Sequence, residues 1–337
     1  MNYLFAKKLL YRFQRRSLVL MYHNIAEPGI DPWELAVSPE NFRQHLEVLR
    51  KYRVISVAEM SDSLEKNSII SGSVAITFDD GYEDNLLHAR PLLEEYNLPA
   101  TFFIATGYLG GKKMFWWDEL DQVFLTGSDL PDSLSLNIGG EAFVFSLGDD
   151  AVLTPQKAAR QASWYWHQPS PTRRGSLYFE VWKRLRPLPD NEIHAAIKEL
   201  KQWAGVQSID SPKHAMTREQ LLTLKDHQLI HTGIHTVTHP ALASHGFAQQ
   251  MQEIDSCRKV LLEMGMLASH LAYPYGNFNQ DTVKICHDLK LSSAFTTNER
   301  MVTGKTGQYQ IGRFQVRNVD GNTFEKQLQK WMTEFPS

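Results

Sequence analysis

Short apolar runs alternate with segments of helical periodicity over most of the chain. The run at 18–22 predicts a buried strand, and the apolar spacing of Phe42, Leu46 and Leu49 predicts a helix after it. Further strands are predicted at 74–78, 100–104, 229–234, 270–273, 293–297 and 311–316. Strands that alternate with helices are typical of βα units, so the pattern predicts an α/β fold with a parallel sheet.

Polar residues follow several of these strands at the point where the strand ends. His23, Asp79, Asp80, His235 and Tyr275 all take such positions. Barrel enzymes assemble their active sites from the C-terminal ends of several strands. The pattern therefore favours a sheet that closes into a barrel, with a site at that end.

The alternation of strands and helices breaks between about residues 111 and 215. A helix is predicted at 190–203, whereas 139–150 is predicted to be weakly structured. We interpret the stretch as a largely helical insertion in one barrel domain that spans residues 17–337, because strands on both sides of it contribute to the predicted site. Five of the eight tryptophans lie between positions 116 and 182, namely Trp116, Trp117, Trp164, Trp166 and Trp182.

The composition excludes several classes of protein. The 35 basic and 38 acidic residues give a formal net charge of −3, which is not the basic balance of a nucleic-acid-binding protein. Two cysteines, Cys257 and Cys286, are too few for a disulfide scaffold. No apolar run approaches the roughly 20 residues that span a bilayer.

Residues 1–16 form a separate cationic segment. Leu4, Phe5 and Leu9 are interspersed with basic residues such as Lys7 and Arg12, which predicts a short amphipathic helix rather than a secretory signal. Two interpretations stay open: a surface helix packed on the domain, and an interfacial anchor on anionic lipid. Because no signal peptide is visible, we expect a cytoplasmic protein that makes peripheral contact with the inner face of the membrane.

Two adjacent carboxylates close the predicted strand at 74–78, in the motif TFDDGY. Adjacent strand residues point to opposite sides, so Asp79 and Asp80 are able to divide the roles of base and metal ligand. The alternative is a strand that ends in an ordinary Asp-Gly turn.

A second motif, HTVTHP, closes the predicted strand at 229–234. His235 and His239 have a four-residue spacing that is seen at zinc sites, and Pro240 restricts them to a single turn or tight loop. With one carboxylate they would supply three ligands and leave a position for water, as at catalytic zinc sites. Other divalent metals suit the same set, and two loop histidines without a metal are the alternative.

A third motif, YPYG, follows the predicted strand at 270–273. The proline and glycine around Tyr275 make a turn whose backbone N–H groups suit an oxyanion. A plain turn between a strand and a helix is the alternative.

The motifs LVLMYHNI, TFDDGY, HTVTH and YPYG, in this order, resemble the polysaccharide deacetylase family, the carbohydrate esterases with a NodB-homology domain. The resemblance covers residues 17–110 and 225–317 and implies a distorted (β/α) barrel of the NodB type. It also implies a metal-dependent hydrolase that removes the N-acetyl group from an amino sugar. Zn²⁺ is the expected ion, with Co²⁺, Mn²⁺ and Ni²⁺ as alternatives.

The resemblance assigns roles residue by residue. It implies that Asp80, His235 and His239 bind the metal and that Asp79 takes a proton from the attacking water. The backbone N–H of Tyr275 is then implied to stabilise the oxyanion on the acetamide carbonyl.

The chain departs from the family pattern at two places. Many members carry an arginine two residues before the proline of the third motif, where it orients the catalytic aspartate; here that residue is Ala272, and Arg313 is the candidate substitute. Many members also carry a Leu-x-His motif whose histidine is the general acid, and none follows residue 290 here. His23 is the candidate replacement, with a buried structural histidine as the alternative.

The resemblance implies a role in bacterial surface-polysaccharide, lipopolysaccharide or cell-wall biosynthesis. The substrate would be an N-acetylated sugar or glycan, and one hypothesis is that it is lipid-linked. The alternatives are hydrolysis of another C–N amide or an O-acetyl ester, and a non-catalytic glycan-binding protein. We expect most tryptophans of the insertion to form a core, with one or two near Trp116 and Trp117 stacking on sugar rings. Arg173 and Arg174 are candidates to contact a phosphate, although a solvated pair is the favoured interpretation.

Overall fold

The computed structural model describes residues 15–27, 29–110, 113–126, 129–206 and 213–333. The amphipathic helix predicted in residues 1–16 lies outside these ranges except for its last two residues. Within them, every helix is too short or too polar to cross a bilayer.

A parallel sheet forms the centre of the molecule. The described chain has the strands β1 (Leu18–Tyr22), β2 (Asn24–Ile25), β3 (Ala36–Val37), β4 (Arg53–Val54), β5 (Ser73–Phe78), β6 (Ala100–Ile104), β7 (Ser133–Ile138), β8 (Glu141–Ser146), β9 (Ile230–Ile234), β10 (His270–Ala272), β11 (Ser293–Phe295) and β12 (Phe314–Gln315). The strands of the central sheet follow the order β11-β10-β9-β6-β5-β1-β12, and β4 pairs with the beginning of β5.

Helices cover the outside of the sheet, and every side chain of β1 and β5 is buried. This burial explains why these strands are nearly continuous apolar runs rather than alternating ones. The helices are α1 (Pro39–Leu49), α2 (Val57–Glu65), α3 (Arg90–Tyr96), α4 (Trp116–Leu120), α5 (Pro155–Ala162), α6 (Arg173–Leu185), α7 (Asp190–Trp203), α8 (Arg218–Leu222), α9 (Phe247–Glu263), α10 (Gln280–Asp288) and α11 (Gly321–Thr333).

The sheet curls until its two edges meet through one short segment. Ile311, just before β12, forms a parallel bridge with Phe295 of β11. The Ile311 N–H donates to the Ala294 carbonyl at 3.0 Å, and the Thr296 N–H donates to the Ile311 carbonyl at 2.8 Å. The predicted distorted (β/α) barrel is confirmed, although the strand predicted at 311–316 is regular only at β12.

The stretch between β6 and β9 contains a hairpin that the sequence pattern does not predict. The segment 139–150 is not weakly structured as predicted, because β8 lies within it and pairs antiparallel with β7. Leu134 and Leu136 alternate with exposed residues along β7 and point inward. Gly139 and Gly140 both have positive φ, 62° and 84°, which a two-residue hairpin turn requires and which glycine adopts without strain.

A second apolar cluster joins this stretch to the barrel. Trp116 and Leu177 belong to it, and so do Tyr82 and Tyr108, which follow the barrel strands β5 and β6. The inserted helices therefore rest directly on the C-terminal end of the barrel, where the predicted site residues lie.

Candidate active site

Three predicted metal ligands converge at the C-terminal end of the barrel. Asp80 follows β5, and His235 and His239 follow β9. The Asp80 Oδ1 atom lies 3.3 Å from the Nε2 atoms of both His235 and His239. All three side chains are buried, and their ligand atoms lie within 4.8 Å of one another.

The hydrogen bonding of these residues fits a cation. His235 Nδ1 lies 2.8 Å from the Ala272 carbonyl, which only accepts, so the neutral ring carries its proton on Nδ1 and a lone pair on Nε2. Burial lowers the pKa of His239 to about 3, so this ring is neutral. Asp80 Oδ1 is buried without a hydrogen-bond partner. Lone pairs that converge from two imidazoles and a carboxylate suit Zn²⁺ and related divalent metals.

Glu253 holds the loop that carries the two histidines. Its carboxylate accepts hydrogen bonds from the backbone N–H groups of Val237 and Thr238, at 2.9 and 2.8 Å. Inside the loop, the Thr236 hydroxyl accepts from the His239 N–H at 3.0 Å. The structure thus has the tight loop that Pro240 predicts.

Left-handed backbone conformations concentrate around these ligands. Asp80, Thr236, His239 and Tyr275 have φ values of 72°, 66°, 59° and 57°. Each such non-glycine residue costs on the order of 1 kcal/mol and persists only where its surroundings enforce it. In this region the fold therefore holds the side chains in place at the cost of backbone strain.

Arg313 lies beside Asp79, where the sequence analysis places it. The guanidinium donates to both carboxylate oxygens at 2.6 Å. It also donates to the Thr77 hydroxyl at 3.2 Å and to the Thr296 carbonyl at 3.1 Å. Burial raises the pKa of Asp79, but the charge and hydrogen bonds of Arg313, together with the neighbouring His235, outweigh burial and hold this pKa well below its usual range.

A cavity of about 260 Å³ opens over these groups. The Nδ1 atom of His23 is buried there without a hydrogen-bond partner. Arg313 lies behind Asp79, outside the cavity wall. Six of the predicted site residues line the cavity: His23, Asp79, Asp80, His235, His239 and Tyr275.

Tryptophans form more of the cavity wall than expected. Trp117 lines the cavity as expected, whereas Trp116 is 1% exposed and belongs to the core. Trp33, Trp166 and Trp182 also line it. The ring of Trp33 lies 4.4 Å from that of Trp182 and 5.9 Å from that of Trp166. The one sequence feature that could have indicated Trp33 as a cavity residue is its position in the loop between β2 and β3. This loop lies at the end of the barrel that carries the site.

The arginine pair that was a candidate for phosphate contact has another role. Arg173 Nε donates to the Ser146 carbonyl at 2.7 Å, and Arg174 Nε donates to the Asp150 carbonyl at 2.8 Å. Both side chains thus donate to backbone carbonyls at or shortly after the end of β8. Arg174 is fully buried rather than solvated. Arg186, at the other end of the same helix, lines the cavity instead.

Comparison with known proteins gives one family. A family model described as polysaccharide deacetylase matches residues 66–130 and 182–294, which is more than half of the chain. A putative polysaccharide deacetylase of Bacillus subtilis, YxkH, is 31% identical over 126 residues, 35% of this chain and 44% of that protein. The poly-β-1,6-N-acetyl-D-glucosamine N-deacetylase of Staphylococcus aureus is 27% identical over 140 residues, 36% of this chain and 48% of that protein. The match thus spans less than half the length of these relatives.

Solved structures show the same fold over nearly the whole chain. The Streptococcus pyogenes deacetylase PplD, in complex with acetate, has a TM-score of 0.53 at 20% identity, over 94% of this chain and 99% of that one. IcaB from Ammonifex degensii has a TM-score of 0.56 at 18% identity, over 95% of this chain and 98% of that one. At these identities the likeness establishes the barrel and says nothing of substrate.

Proposed function

The chain belongs to the polysaccharide deacetylase family, and from this we propose that it is a metal-dependent hydrolase that removes the acetyl group from an N-acetylated amino sugar of a glycan. One observation carries the proposal. A carboxylate held ionised by a buried arginine, Asp79, stands beside the converging ligands Asp80, His235 and His239 in a tryptophan-lined cavity. The deacetylase relatives support the same reaction.

The residues divide the work of hydrolysing an acetamide to acetate and an amine. When bound, the divalent cation supplies Lewis acidity and makes water more acidic. Asp79 accepts a proton from the attacking water, and Arg313 keeps it ionised and fixed in orientation. The backbone N–H of Tyr275 is the proposed donor to the oxyanion of the tetrahedral intermediate. His23, which lines the same cavity, is the proposed donor of a proton to the leaving amine.

Acetate release tests the proposal directly. We expect the zinc-loaded protein to release acetate from a β-1,6-linked N-acetylglucosamine oligomer or from chitooligosaccharides, and a chelator to reduce the rate by at least ~10²-fold. Zn²⁺, Co²⁺, Mn²⁺ or Ni²⁺ should then restore it. An unchanged rate in protein shown to be metal-free would contradict metal dependence. Release from O-acetyl esters alone would favour an esterase, and metal binding without any release would favour a glycan-binding protein.

We propose further that the protein works in the cytoplasm at the inner face of the membrane, on a lipid-linked intermediate of cell-envelope glycan synthesis. The support is the alternation of apolar and basic residues in segment 1–16. Cell fractionation should find the full chain with membranes and find it released by high salt or by deletion of residues 1–16. The same distribution for the full and the shortened chain would contradict the membrane role.

A further inference from the structure

One cation in the cavity wall is not used by the proposed reaction. Arg186 follows the last residue of α6 and lines the cavity together with Tyr275 and the metal-ligand cluster. It is the one lysine or arginine among the lining residues of the described chain. Arg313, the other arginine near the reaction centre, is fully buried and fully engaged by Asp79.

Aromatic rings position the Arg186 side chain. Its guanidinium carbon lies 5.1 Å from the ring centre of Trp182 and 5.8 Å from that of Tyr275. The ring of Tyr275 in turn lies 4.5 Å from the ring of His239. Two ring contacts therefore separate the guanidinium from the metal-ligand cluster. Stacking on aromatic faces favours an arginine, and it leaves the edges of the planar group available for hydrogen bonds.

Arg186 lacks the acceptors that a part-buried guanidinium needs. Its Nε atom is buried without a hydrogen-bond partner, and no carboxylate of the described chain forms an ion pair with it. Of the two carboxylates that share the cavity, Asp79 is engaged by Arg313, and Asp80 belongs to the metal-ligand cluster. A buried donor without an acceptor is destabilising, so the arrangement favours a ligand that supplies one.

We propose that Arg186 binds an oxyanion carried by the substrate, a phosphate or a carboxylate, and that the enzyme therefore acts on an anionic N-acetylated glycan rather than a neutral one. The proposal rests on the proposed deacetylase function and deepens it. The fork of a guanidinium matches the paired oxygens of either group, and the rings beside it restrict its motion before the ligand arrives. Arg186 is in this role a specificity-determining residue and takes no part in the chemical step.

Equilibrium binding separates the possible ligands. The probes are N-acetylglucosamine 1-phosphate for the phosphate, N-acetylmuramic acid for the carboxylate and N-acetylglucosamine as the neutral reference. Quenching of the fluorescence of the cavity tryptophans reports the Kd for the full-length, zinc-loaded protein. We expect Arg186→Gln to raise the Kd of the preferred anionic sugar about 10- to 100-fold and that of the neutral sugar less than about 2-fold.

A control on the same helix removes the same charge at a different place. Arg184 pairs with Glu180 and lies over the ring of Phe143, away from the cavity. Arg184→Gln should leave all three affinities unchanged, whereas Arg186→Lys, which keeps the charge but not the fork, should fall between wild type and Arg186→Gln. The more tightly bound anionic probe identifies the oxyanion.

Three results would overturn the role of Arg186: equal affinity of the wild type for charged and neutral sugars, equal weakening of both by Arg186→Gln, or no binding of either anionic probe. The binding measurement reports affinity whether or not acetate is released. A failure to release acetate therefore counts against the proposed deacetylase function and leaves the oxyanion result as it stands.

Discussion

Replacing Asp79 with asparagine is expected to lower kcat for acetate release by about 10²- to 10⁴-fold, the usual range for loss of a general base. An amide does not accept the proton that the carboxylate takes from water. The converging ligands Asp80, His235 and His239 are left in place, so the variant should keep its bound metal. The rate of acetate release and the metal content of the same preparation are the two measurements. Loss of the metal together with the activity would show that Asp79 is a ligand rather than the base.

His23 provides the matched comparison. It lines the same cavity but is the proposed acid for the leaving amine. His23→Gln should therefore slow hydrolysis of the acetamide about 10²-fold or more and spare 4-nitrophenyl acetate, whose leaving group needs no proton. Asp79→Asn should slow both substrates. Equal losses on the two substrates in His23→Gln would assign His23 to the structure of the cavity instead of to proton transfer.

The second large effect is on stability. Arg313→Met is expected to lower the free energy of unfolding by about 3–5 kcal/mol, the range seen when one partner of a buried ion pair is removed. Asp79 is 3% exposed and Arg313 is fully buried, so water does not replace the lost guanidinium. Four hydrogen bonds of Arg313 are lost in the same change. Urea unfolding of the metal-free protein measures the loss without a contribution from the ion.

The double variant Asp79→Asn/Arg313→Met separates charge from packing. Because it leaves no unpaired charge, it should be more stable than Arg313→Met alone, and the cycle gives the coupling of the pair. Arg258 pairs with Asp255 on the surface at 3.9 Å, so Arg258→Met should change stability by no more than about 0.5 kcal/mol. If the double variant is no more stable than Arg313→Met, the loss comes from contacts of the arginine side chain other than its charge.

The site residues that the sequence predicts lie within short local motifs. Asp79 and Asp80 follow a strand whose apolar run is read directly, and His235 and His239 are four residues apart in one loop. Arg313 is not part of a local motif. It becomes a candidate only because Ala272 stands where many family members have an arginine, so that another arginine at this end of the barrel is needed.

The cavity wall was not predictable in the same way. Trp33 and Trp166 come from segments far apart in the chain, and only the tertiary fold brings their rings together. Arg186 is one of several arginines on an amphipathic helix, and nothing local distinguishes it from Arg173 or Arg184. The hairpin around Gly139 is hard to predict because Asp, Gly and Ser residues in this region are typical of loops, although glycine is also what the positive φ values of such a turn need.

The apolar cluster shared by the inserted stretch and the barrel bears on which parts of this protein can change independently. Tyr82 and Tyr108 of the barrel pack in one cluster with Trp116 of the inserted stretch, so excision of the stretch would remove apolar cover from the C-terminal end of the barrel. The stretch is therefore not an exchangeable module. Substitutions at positions that line the cavity, such as Trp166 and Arg186, would change its wall and leave this shared core in place.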